Sequence, residues 1–145
     1  MANIMGHLII ILIIAGLVYY VAVAYPSKIK YKMFEQRECL SPEEFYEKFY
    51  SESKIRKQVL FDILQFMEKN LDLPISKLRP NDRFDKELAV IIELEVVDDD
   101  ISYFWDATFN RLYESAEKKQ IDLKKALYSI KNIDEYIKTF ASIYE

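Results

Sequence analysis

The chain is almost without glycine, cysteine and histidine, and each shortage removes a class of function. Its only glycines, Gly6 and Gly16, both fall in one apolar segment. Beyond that segment there is no glycine, the residue that takes positive φ most freely, so tight type I′ hairpins and glycine-rich phosphate loops are hardly to be expected there. One cysteine, Cys39, cannot build an internal disulfide framework. With no histidine near it in sequence, Cys39 reads as a thiol of no special role. The single histidine, His7, also lies in the apolar segment, so the rest of the chain cannot assemble a histidine-based triad. Near a helix end, His7 reads as an interfacial residue rather than a proton sensor. A net charge of −4 argues against nucleic acid as partner.

Charge is missing altogether from Leu8 to Tyr25. Extended back to Ile4, the stretch is 22 residues long, or about 33 Å as a helix, against a hydrocarbon core of about 30 Å. Leu, Ile and Val dominate it, and Tyr19, Tyr20 and Tyr25 gather at one end, where an aromatic belt would sit. A cleaved signal peptide is the rival, since Ala22-Val23-Ala24 has the small-x-small pattern. Against it, no Lys or Arg precedes the run, whereas Lys28, Lys30 and Lys32 come directly after it. The charge rule then predicts a retained single-pass anchor over residues 1–26 in a bacterial inner membrane, with the C-terminal domain cytoplasmic. Residues 27–40 read as a basic juxtamembrane linker. Its three lysines are candidates for the membrane surface, at about 1 kcal/mol each, diluted by Glu35 and Glu38.

Helical spacing fills the remainder, residues 41–145. Ser41-Pro42-Glu43-Glu44 is a capping box with proline at the first helical position, opening a helix that carries Phe45, Tyr46, Phe49 and Tyr50. Ile55, Val59, Ile63, Phe66 and Met67 recur at three- and four-residue steps, and Pro74 closes that helix. "ISKLRPNDRFDKEL" reads as a loop anchored by Ile75, Leu78, Phe84 and Leu88. "AVIIELEVV", Ala89 to Val97, is predicted as an irregular or short extended segment. Asp98-Asp99-Asp100 then start a helix through Ile101, Phe104, Trp105, Thr108, Phe109 and Leu112. Asp122 opens a short helix, and Asn132 with Glu135 caps a last one through Ile133, Ile137, Phe140 and Tyr144. The predicted fold is mainly α: a transmembrane helix followed by a small four- to five-helix bundle.

Acidic residues crowd one region. Between Asp82 and Asp106 stand nine of them (Asp82, Asp85, Glu87, Glu93, Glu95, Asp98, Asp99, Asp100, Asp106) against Arg83 and Lys86, a local net of −7. A solvated face would account for some of this charge, but a field of this sign also steers a basic protein surface. Glu93, Glu95, Asp98, Asp99, Asp100 and Asp106 are the candidate docking residues. Asp98 and Asp100 could also hold a divalent cation, though hard cations want more oxygen ligands than the stretch supplies, and a helix cap explains them better.

The order of these blocks resembles the acyl carrier proteins. "VLFDILQFMEKNLDLP" stands where their first helix does, "ISKLRPNDRFDKEL" where their long loop does, and "KNIDEYIKTF" is similar to their last helix. The likeness covers residues 55–141 and looks closest to a divergent bacterial group of carrier-like proteins that keep "LRPxDRFxxEL". The resemblance implies a helical bundle whose second helix docks partners. Carriers attach phosphopantetheine to the serine of an Asp-Ser-Leu at the start of that helix. Here the corresponding residues are Asp99-Asp100-Ile101, so a carboxylate replaces the attachment oxygen, and Ser102 lies two positions late, about 200° round the helix. The expectation is a non-catalytic, membrane-anchored protein-interaction module without cofactor or metal, of a toxin-immunity or adaptor kind. The alternative is an acyl or phosphopantetheine carrier with atypical attachment at Ser102.

Overall fold

Side-chain caps at Ser41, Asp122 and Asn132, and prolines at positions 26 and 42, mark several of the described helix starts. The computed structural model describes residues 2–21, 25–71, 73–89 and 100–145. It is mainly helical, and among the described residues there is no strand, only one isolated bridge between Arg83 and Asn132. Two compact units divide the chain, Met1–Gln36 and Arg37–Glu145.

The first unit holds α1, Ala2–Tyr19, and α2, Tyr25–Glu35. The 18 residues of α1 measure about 27 Å, shorter than the expected span. Among the described residues no helix is long and apolar enough to cross a membrane. From Ile9 to Val21 every residue is exposed; Ile9, Ile11, Leu12, Ile14 and Val18 keep 55–69% of their surface, so no side of this described stretch is covered. The basic stretch expected as a linker is helical through Glu35. Pro26 stands in the first turn of α2, where its missing N–H costs nothing.

The second unit starts with a strap, residues 37–40, and continues into five helices. α3 is Pro42–Phe49, α4 Lys57–Leu71, α5 Asp100–Lys118, α6 Leu123–Tyr128 and α7 Ile133–Tyr144. The caps predicted at Ser41, Asp122 and Asn132 form. Ser41 Oγ accepts from the Glu44 amide at 3.2 Å while Glu44 returns a bond to the Ser41 amide at 2.8 Å. Asp122 accepts from the Lys125 amide, and Asn132 from the Glu135 amide. α4 begins at Lys57, so Ile55, expected on its stripe, lies before it and is half-buried.

Helices α4, α5 and α7 pack against one another, α3 leans on α4, and α6 bridges α5 and α7. Leu60, Ile63, Met67, Phe104, Leu112, Tyr136 and Ile137 are fully buried. At about 1.5–3 kcal/mol for each large apolar side chain, this cluster dominates the folding energy. The predicted loop is ordered by a 3₁₀ turn, Ile75–Lys77, and a π turn, Phe84–Leu88. Leu78, Phe84 and Leu88 are buried as expected, and Ile75 is half-buried. Backbone bonds from Phe84 to Lys131 (3.0 Å), Ile133 to Asp82 (3.1 Å) and Asp134 to Pro80 (2.9 Å) lace the loop to the start of α7. The expectation for Ala89 to Val97 falls, beyond Ala89, outside the described residues.

Candidate functional site

Asp82 shows why the acidic region cannot be taken as one open field. Its side chain is buried and accepts from both Arg37 nitrogens, at 2.6 and 2.8 Å, and from the Arg79 amide at 2.8 Å. Arg37 also donates to the Lys77 carbonyl, and Arg79 to the Glu38 carbonyl at 2.6 Å. The pair therefore fastens the strap to the loop, and Asp82 is removed from the acidic field counted by sequence. Asp85 is exposed but held by Arg83 through two bonds of 2.8 and 2.7 Å, and that guanidinium draws its carboxyl below the usual value. Glu87 accepts from the Arg83 amide.

Of the six candidate docking residues, Glu93, Glu95, Asp98 and Asp99 lie outside the described residues. Asp100 is the first residue of α5, with its side chain outside them. Asp106 is exposed on α5, two turns in. Of the lysines, Lys28, Lys30 and Lys32 are residues of α2.

Asp106 borders a groove of about 800 Å³ that the sequence did not announce. One wall is α5, where Ile101, Trp105 and Phe109 recur every four residues. The other is Leu127 with Ile130, from α6 and just beyond it, and Phe84 forms the floor. The Phe84 ring lies 5.0 Å from Trp105 and 5.9 Å from Phe104, so the floor is the edge of the aromatic core. Ile101, Trp105, Phe109, Leu127 and Ile130 are all half-buried and line the groove. Asp85, Ser102, Asp106, Lys124 and Tyr128 form the rim, and Tyr128 is 92% exposed.

The signal was present in part. Helical spacing on α5 gives one stripe through Phe104, Thr108 and Leu112, which are buried, and a second through Ile101, Trp105 and Phe109. Two apolar stripes are more than one core contact requires. What the sequence lacked was the position of Phe84, 21 residues before Trp105, which turns the second stripe into a groove.

Such an arrangement can bind, through apolar contact framed by a few charges. Among the described residues no group of three or more His, Cys, Asp or Glu could hold a metal ion, and no buried side-chain polar atom lacks a partner. Cys39 is a free, exposed thiol in the strap. A second cavity of about 830 Å³ between α4, α5 and α7 is more polar, with Asp62, Glu68, Lys69 and Arg111 on its walls. Its Arg111 is engaged: the guanidinium lies 5.3 Å over the Tyr144 ring and donates to the Tyr144 hydroxyl at 3.2 Å.

Comparison of the chain with protein-family models, with curated proteins and with solved structures finds no match.

Proposed function

We propose that this is a non-catalytic protein-interaction module, tethered to a bacterial inner membrane by its first unit and docking a protein partner on the α5–α6 face. The carrying observation is the groove itself: five half-buried apolar side chains stand beside exposed Asp85 and Asp106 and an exposed tyrosine. Aromatic and aliphatic residues at a concave, partly acidic surface suit a partner that offers an apolar anchor with basic neighbours. Support for the tether comes from the exposed, mainly aliphatic stretch Ile9–Val21, which water solvates poorly. The lysines after it favour a cytoplasmic second unit. Tethering raises the partner's effective concentration and needs no catalytic group, as befits toxin immunity or an adaptor.

The test is crosslinking and pull-down from native membranes with the full chain. Asp106→Lys combined with Tyr128→Asp changes two exposed side chains, so the fold should survive. Specific capture should drop at least about tenfold, the effect of losing roughly 1.4 kcal/mol of binding. Unchanged capture would refute the docking face.

A carrier role is the second reading. Its support is the order of helices in the second unit, long, long, short, long from α4 to α7, with an exposed Ser102 on the groove's rim. Mass spectrometry after coexpression with a phosphopantetheinyl transferase decides it: an added prosthetic mass on Ser102 establishes the carrier, and unmodified protein eliminates it.

A further inference from the structure

The stretch after the aliphatic rod is a helix with an uncovered apolar stripe. Ile29 and Met33, one turn apart on α2, are 42% and 64% exposed, while Phe34 on the same helix is buried and Tyr31 half-buried. At 100° per residue the two exposed side chains fall within about 40° of each other. The same count puts position 32 about 60° to one side of this stripe and position 30 about 60° to the other, with position 28 one turn before position 32. All three positions are lysine, against the one acidic residue of α2, Glu35.

An apolar stripe edged by lysines on both sides is the pattern of a helix that lies in a membrane interface. In helices of that pattern an apolar stripe enters the acyl boundary while flanking lysine stems reach up to headgroup phosphates. Continuity favours lipid over a protein as the occupant, because α2 begins a few residues after the exposed, mainly aliphatic stretch Ile9–Val21 ends. We infer that α2 is an interfacial helix that seats Ile29 and Met33 in an anionic bilayer surface. This rests on the membrane reading of the first unit, and it adds a second attachment alongside the tether, parallel to the membrane plane.

The test uses the full chain in a Cys39→Ser background, with a nitroxide on Met33→Cys or, separately, on Leu12→Cys. Each protein is reconstituted in phosphatidylcholine vesicles with and without phosphatidylglycerol. Accessibility to oxygen and to a water-soluble nickel complex reports depth. Position 33 should be shielded from nickel on the phosphatidylglycerol vesicles, and replacing Lys28, Lys30 and Lys32 by Gln should reduce that shielding severalfold. A nickel-accessible position 33 beside a deep position 12 overturns the inference and leaves the tether standing. A shielded position 33 with an aqueous position 12 supports the inference and refutes a spanning α1. Equal shielding without the anionic lipid overturns the role of the lysines, and two aqueous positions overturn both readings.

Discussion

At the residue scale, Asp82 and the two buried tyrosines are the polar groups on which the second unit depends. Asp82 is 3% exposed and holds a guanidinium that is itself only partly solvated, so removing the charge takes away the counter-ion Arg37 pairs with. Because Arg37 keeps about a quarter of its side-chain surface, Asp82→Asn is expected to cost less than a fully buried pair would, about 2–3 kcal/mol. Thermal unfolding should register this as a fall in Tm of roughly 10 °C or more. Tyr50 donates to Asp134 at 3.0 Å, and Tyr136 shares a 3.0 Å bond with Thr108. Burial pushes both phenols above their ordinary range; the Asp134 charge reinforces this for Tyr50, and the Thr108 bond opposes it for Tyr136. A raised folded-state value means these protons are held more tightly in the native protein. The stabilisation is complete below the unfolded value of about 10 and is lost as pH rises beyond it. Denaturation midpoints should therefore fall above about pH 10, and the fall should be shallower in Tyr50→Phe and Tyr136→Phe.

At the element scale, the absence of glycine leaves a mark at the end of α5. Gln120 sits at φ 56°, the left-handed position that glycine usually takes after a helix. The Ile121 amide bonds back to the Ala116 carbonyl at 2.9 Å and the Gln120 amide to Glu117 at 3.0 Å, the paired bonds of a Schellman closure. A side chain there pays for its Cβ in strain. Gln120→Gly should therefore stabilise the protein by about 0.5–1 kcal/mol, seen as a higher denaturant midpoint with an unchanged slope. A lower midpoint would show that the Gln120 side chain contributes more than its backbone costs. The caps at Ser41, Asp122 and Asn132 were legible because one side chain and a neighbouring amide suffice to make them. The 3₁₀ and π turns were not, since Phe84–Leu88 winds as it does to meet Lys131 and Asn132, some 45 residues on.

On the scale of the molecule, the proposed docking face is separable from the core. Asp106 and Tyr128 are exposed, and neither is among the buried side chains that α4, α5 and α7 share. The double variant Asp106→Lys and Tyr128→Asp should keep its helical circular dichroism and its stability within about 0.5 kcal/mol while losing partner capture. Loss of both together would mean that the face is part of the fold's support.

Helix type, three of the caps and most core positions were settled by the sequence, because a 3.6-residue period and short-range hydrogen bonds are local physics. Val59, Ile63, Met67, Ile133, Ile137 and Phe140 all face inward as their spacing requires. Only the tertiary structure decided which charges are free and which apolar stripe is covered. Asp82 reads like any other member of an acidic run until Arg37, 45 residues earlier, folds back onto it. Trp105 and Phe109 read as core until Phe84 and Leu127 are seen to leave a groove between them. Burial and pairing depend on contacts between distant parts of the chain, and those distances are not written in any local pattern.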